Sequence, residues 1–168
     1  MVEEDPILMR EIERAFHKLN HGGLLVTSVG EDGKPNVMTI GWWLFGWFYH
    51  GRPMSVIAIR PATHTFKLLA EVPEYVVSVP TDDIAEAVAV CGRESGRDMD
   101  KFAECGLTAI PSREVRAPSI KESTLNIECR IYHPLAAPHM ILTPEHRQKP
   151  VPAQHTIYFS EVLAAWAP

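Results

Sequence analysis

The stretch RPATHT, Arg60 to Thr65, places a guanidinium, two threonine hydroxyls and an imidazole within six residues. Pro61 fixes the backbone after an apolar run and turns the chain sharply. The residues that follow, ATHTFKLLAE, carry helical spacing, so Thr63, His64 and Thr65 fall at the N-terminus of a short helix. Backbone N–H groups lack partners there, and the helix dipole is positive. With the Arg60 guanidinium they form an anion site suited to a phosphate monoester. Taken alone, the same residues also describe an ordinary capped helix with a surface arginine.

Two further clusters carry polar groups of the same kind. SGRDMDKF, Ser95 to Phe102, adds donors at Ser95, Arg97 and Lys101 beside Gly96, whose backbone is unrestricted. Its plain reading is a solvated loop. PNVMTIGWW, Pro35 to Trp43, mixes an amide, a hydroxyl, a thioether and two indoles in what reads as a strand. That composition suits a planar heteroaromatic ring. Main-chain groups, Asn36 and Thr39 would meet its polar edges, Met38 would offer a soft surface, and Trp42 or Trp43 would wall it. A core strand with interfacial tryptophans is the alternative.

Other chemistries find no support. There is no GxSxG, Walker or GxGxxG motif, and Ser28, Ser78 and Ser160 lack a nucleophile signature, so no catalytic side chain is expected. Four of the eight histidines, His133, His139, His146 and His155, are spread around a Pro-rich stretch without metal-ligand spacing, so no metal site is expected. The three cysteines, Cys91, Cys105 and Cys129, form no CxxC and read as reduced, buried small groups.

The elements that position these clusters are mostly strands. Asp5-Pro6 starts a helix over 5–20, with Leu8, Ile12, Ala15 or Phe16, and Leu19 at helical spacing. Leu24 to Val29 is a strand, Asp32-Gly33 a turn, and the Pro35 stretch the return strand. Met54 to Arg60 and Glu74 to Pro80 are further strands. TDDIAEAVAVCG is a helix capped by Thr81 and stopped by Gly92. From Ser123 to His133 the chain alternates, with Leu125, Ile127, Cys129 and Ile131 on one face and Asn126, Glu128, Arg130 and Tyr132 on the other. The Pro-rich 134–152 is read as a surface excursion with only "MIL" as a strand fragment, and His155 to Trp166 as the last strand. The expected class is mainly β (α+β), a small barrel or closed sheet with a few peripheral helices, in a single domain over 1–168.

Composition narrows the partners. The chain of 168 residues is 46% apolar, enough for a sizeable core. Its formal net charge of -5, with lysines and arginines scattered, disfavours a nucleic-acid face. No apolar run reaches the length of a membrane span, and MVEEDPILMREIERAF has no signal-peptide core. The expectation is a cytoplasmic protein without membrane contact.

Five motifs in order resemble the flavin reductase-like family, in its flavoredoxin branch: PNVMTIGWW, MSVIAIRPATHT, CGRESGRDMDKF, APSIKESTLNIECRI and HTIYFSEV. The resemblance runs from about Leu24 to Leu163. It implies an FMN-binding split β-barrel and a homodimer with the flavin near the subunit interface. It implies that Asn36, Met38, Thr39 and Trp42 lie along the isoalloxazine, and that Arg60, Thr63 and Thr65 serve the ribityl phosphate, with His64 a further cofactor-binding candidate. Ser95 and Lys101 are carried over as cofactor residues. Trp166 is added as a tail aromatic covering a flavin, its own or a partner subunit's. Two departures are Gln154-His155 and Ser160-Glu161 where the family has Asp-His and Gly-Glu. The stretch between Tyr132 and His155 is also longer than usual.

Three readings follow from the resemblance. The favoured one is an NAD(P)H-dependent flavin reductase, with NADH or NADPH delivering a hydride to flavin N5. The second is a flavoredoxin-like carrier in which FMN shuttles electrons between redox partner proteins. The third is a flavin-binding relative without turnover.

Overall fold

The computed structural model describes residues 6–48, 50–137 and 143–168. The Asp5 cap, Tyr49, His139 and the "MIL" fragment lie outside the described residues. Helix α1, Pro6–Asn20, begins at the proline as the sequence requires, and Leu8, Ile12 and Ala15 bury its apolar stripe. Phe16, the alternative to Ala15, is exposed instead.

Strands β1 (Leu24–Val29), β2 (Pro35–Ile40), β3 (Trp43–Trp47), β4 (Pro53–Ile59) and β5 (Glu74–Pro80) are joined by β8 (Ser123–Leu135) and β9 (Thr156–Trp166) in one sheet. Its order is β2-β1-β5-β8-β9-β4-β3, and every neighbouring pair is antiparallel. A two-stranded ribbon pairs β6 (Ala109–Ile110) with β7 (Ser119–Ile120). Helices α2 (His64–Glu71), α3 (Ala85–Arg93), α4 (Lys101–Glu104) and α5 (Pro144–Arg147) are peripheral. The mainly antiparallel architecture agrees with the class read from the sequence. Among the described residues no helix is long and apolar enough to cross a membrane.

The apolar side chains form layers on both faces of the central strands. Leu24, Val26, Tyr75, Val77, Ile127 and Cys129 pack with α1, whereas Leu25 and Val37 pack under Val88, Cys91 and Phe102 of α3 and α4. All six residues of β1 are therefore buried, as a strand covered on both faces must be.

Three local expectations are corrected. Pro35 to Trp43 is not one strand: β2 ends at Ile40, the chain bends at Gly41, and Trp43 opens β3. Thr81 does not cap a helix; its hydroxyl bonds the Glu122 carbonyl, and Asp82–Ile84 forms a 3-10 turn before α3. Helix α3 runs past Gly92 to Arg93. On the polar face of β8, Arg130 and Tyr132 are exposed, whereas the segment from β6 to β7 lies over Asn126 and Glu128.

Asn126 and Glu128 on that face are fully buried. Asn126 accepts from Ser78 Oγ at 2.6 Å and from the Ile120 N–H at 3.1 Å, and donates to the Ile120 carbonyl at 3.0 Å. Glu128 accepts from the N–H groups of Arg113 (2.8 Å) and Glu114 (2.6 Å) and from Trp166 Nε1 (2.6 Å). A buried carboxylate is tolerated only with its lone pairs satisfied in this way. Glu128→Ala removes three acceptor contacts and is expected to cost about 3 kcal/mol in urea unfolding. A loss below about 1 kcal/mol would contradict this role for the carboxylate.

Candidate functional site

Two adjoining cavities open where β2, the residue after β4 and the N-terminus of α2 converge. The first, about 250 Å³, is lined by Asn36, Met38, Arg60, Thr63, His64 and Thr65, and on the opposite side by 91–97 and Lys101. The second, about 530 Å³, is lined by 38–42, Ala58, Arg60 and Thr63, and by Lys149, Ala153 and His155. Met38, Arg60 and Thr63 line both, so the cavities are continuous.

Local chemistry explains how each side chain arrives there. Thr63 has extended backbone and caps α2, its Oγ1 accepting from the Phe66 N–H at 3.2 Å and donating to the Arg60 carbonyl at 2.9 Å. This closes the RPAT turn and leaves Arg60 at the cavity wall. Asn36 on β2 is buried, and its Nδ2 donates to Thr65 Oγ1 at 2.9 Å and Ser28 Oγ at 3.3 Å. The amide thus ties β1 and β2 to α2. On the far side, Arg97 Nη2 donates to the Ala62 carbonyl at 2.9 Å, and Ser95 Oγ accepts from the Arg97 N–H at 3.2 Å. The 95–97 loop is thereby clamped over the helix start. Gly96 lets it come so close: a Cβ there would lie 2.0 Å from Asn36 Oδ1 and 3.2 Å from His64 Cδ2.

Lys101 is almost fully buried. Its ammonium donates to the carbonyls of Cys91 (2.9 Å) and Glu94 (2.8 Å), closing the C-terminal end of α3. Burial lowers its pKa, against the opposing influence of Cys91, Cys105 and Glu94. The His64 imidazole is also held below its ordinary value, by burial first and then by the Arg97 and Lys67 charges. Its Nδ1 is buried and has no hydrogen-bond partner among the described residues.

Eight of the residues expected from the sequence line the first cavity: Asn36, Met38, Arg60, Thr63, His64, Thr65, Ser95 and Lys101. Thr39 and Trp42 line the second. Trp166 lies at neither. Its indole is held by Glu128, with the Arg113 guanidinium 4.5 Å above the ring. The two adjacent indoles also part company. Trp42 is half exposed and meets His155 edge-on at 5.5 Å, whereas Trp43 is buried with its Nε1 bonded to Ser55 Oγ at 3.0 Å. Two roles need refining. The Asn36 amide nitrogen is spent on Thr65 and Ser28, and the Thr39 hydroxyl donates to the Val88 carbonyl at 2.5 Å. Both serve packing as well as the cavity wall.

Sequence reasoning missed Arg93, Lys149 and His155, and it treated Arg97 only as a loop donor. No local motif marks the first three; only the tertiary arrangement brings them in. Together the walls carry Arg60, Arg93, Arg97, Lys101 and Lys149 against the single carboxylate of Glu94. In a chain of net charge -5 this is a strong local excess of positive charge. The arrangement can bind an anionic tail in the first cavity and a flat group along 38–42 in the second. Among the described residues no cluster of three or more His, Cys, Asp or Glu could hold a metal ion.

The family model for the flavin reductase like domain matches residues 16–168, and the chain belongs to that family. Flavoredoxin of Desulfovibrio vulgaris (Miyazaki F) superposes with a TM-score of 0.69 at 26% identity, covering 86% of this chain and 68% of that one. An FMN-binding domain of a flavin reductase-like enzyme from Shewanella baltica OS155 gives 0.65 at 22% identity, over 92% of this chain and 73% of that one, a likeness of fold. An uncharacterised protein of Pyrococcus abyssi is 37% identical over 110 residues, 65% of this chain. The chain spans 60% of that relative's length. The mainly antiparallel sheet is thus the split β-barrel of this family.

Two measurements test the geometry without any ligand. Gly96→Ala should displace Asn36 and His64 and lower stability by about 1–3 kcal/mol, read by urea unfolding; a neutral effect would mean the loop is not tightly seated. The His64 pKa is depressed in the folded state, so its stabilising contribution is complete above the unfolded value of 6.5. That contribution is lost as pH falls from there through the lower folded value. His64→Gln should therefore flatten the fall in stability below pH 6.5, and an unchanged slope would contradict the burial of the imidazole.

Proposed function

We propose that the joined cavities bind FMN and that the protein is a flavin-dependent oxidoreductase, an NAD(P)H-dependent flavin reductase in the first instance. Arg60, Thr63, Arg97 and the N–H groups at the start of α2 would hold the phosphate. Main-chain groups of 38–42, with Met38 and Trp42, would hold the ring. The observation that carries this reading is the set of Arg60, Arg93, Arg97 and Lys101 lining one cavity at the N-terminus of α2, with Glu94 the one carboxylate among its described lining residues. An anionic tail would offset that positive charge.

Bound there, FMN would supply hydride and electron-transfer chemistry. The chain's own task is to bind, orient and exclude water. Thr63 and Arg97 fix the loops around the anion, Asn36 keeps β2 and α2 in register, and half-exposed Trp42 leaves one side of the second cavity reachable. No protein nucleophile is required.

A flavoredoxin-like carrier is the second reading, favoured by the likeness to the Desulfovibrio flavoredoxin. Mixing the FMN-loaded protein anaerobically with NADH or NADPH separates the two. Rapid loss of the flavin's visible absorbance supports the reductase. Loss only with a reduced partner protein supports the carrier. A homodimer is part of the proposal, supported by exposed Leu44 and Trp47 on edge strand β3, and sedimentation tests it.

Arg60→Ala is expected to weaken FMN by about 1.5–3 kcal/mol while leaving riboflavin nearly unchanged, as fluorescence titration would show. Equal losses for both ligands would mean that Arg60 acts through the fold rather than on the phosphate.

A further inference from the structure

The segment between α5 and β9 contributes a wall to the second cavity that the FMN reading does not use. The 3-10 turn Val151–Ala153 places Ala153 in that wall, and Lys149 and His155 stand on either side of it in the chain. The backbone at Lys149 is fixed: its carbonyl accepts from Nε2 of the buried Gln154 at 3.0 Å. The turn itself is closed by the Ala153 and Gln154 N–H groups, which bond Pro150 O at 2.8 Å and Val151 O at 3.0 Å. The Lys149 ammonium is thus carried on an anchored turn. Beside it, Trp42 and His155 offer an aromatic edge and face.

The charge there has one sign. Arg60 and Lys149 are the charged residues among the described residues lining the second cavity, and none of these carries a carboxylate. A cavity of about 530 Å³ is also the larger of the two. Such a wall draws in a molecule of opposite charge and turns its anionic group toward the ammonium.

We propose that this part of the second cavity receives the reaction partner, a planar ring bearing an anionic group, and that Lys149 is its specificity-determining residue. The inference deepens the reading of the site as an FMN oxidoreductase by naming its substrate class. The ring lies against His155, and the anion pairs with Lys149. Two sources share that chemistry: an aromatic carboxylate and the phosphorylated nicotinamide of a nucleotide donor.

The test is ligand-observed NMR on the full chain, with and without added FMN. Two probe pairs differ only in charge: benzoate with benzamide, and nicotinamide mononucleotide with nicotinamide riboside. The wild type is expected to prefer the anionic member of at least one pair, and that pair identifies the source. In Lys149→Ala the anionic probe should bind about fivefold more weakly with its neutral counterpart unchanged, Lys149→Arg should restore it, and Lys121→Ala should have no effect. The proposal is overturned if neither anionic probe is preferred, or if Lys149→Ala weakens charged and neutral probes alike. FMN titration of the same samples keeps the two readings separate. Failure to bind FMN would remove the cofactor assignment, while the probe pairs on the flavin-free protein would still decide the role of Lys149.

Discussion

The site depends on one buried amide. Asn36 stands on β2, reaches Ser28 on β1 and Thr65 in α2 with a single nitrogen, and presents its oxygen beneath Gly96. Four pieces of chain distant in sequence therefore share one side chain. An amide buried this deeply must have partners, and those partners fix where the first turn of α2 stands relative to the sheet. Arg60, Thr63 and His64 inherit their positions from that arrangement. The 95–97 loop inherits its own from the space left by a missing Cβ.

Around this joint the protein gathers like charges. Arg60, Arg93, Arg97 and Lys101 line one cavity of an otherwise acidic chain, with only Glu94 opposing them. Some of that charge is used internally, since Lys101 closes the end of α3 and Arg97 holds the turn at Ala62. What remains is a positive, partly desolvated pocket with an unpartnered imidazole nitrogen, an expensive arrangement for an empty protein. An anion entering the pocket would offset that cost. The same economy extends to the second cavity, where Lys149 is held on an anchored turn.

Much of this was legible in the sequence, for definite reasons. The strand exit and the start of α2 were readable because a proline and a capping threonine within RPATHT dictate them locally. Strands β1, β5 and β9 were readable from apolar runs bounded by turn residues. What the sequence hid was tertiary. Asn126 and Glu128 alternate as though they faced solvent, yet the ribbon of β6 and β7 covers them, which only long-range folding reveals. Trp42 and Trp43 look equivalent side by side, but the bend at Gly41 sends one to a cavity and the other to the core. Trp166 reads as a tail aromatic, and only the fold shows that its indole N–H meets the buried Glu128 carboxylate. Lys149 carries no local signal at all, because its importance comes from where a Pro-rich segment happens to return.

The measurement that bears most directly on the central claim is the electron density of the protein crystallised with FMN. The account predicts the phosphorus among Arg60, Thr63 and Arg97, and the ring extended along 38–42. Cofactor density elsewhere, for example in the separate cavity lined by Asp83, Glu86 and Cys105, would contradict it.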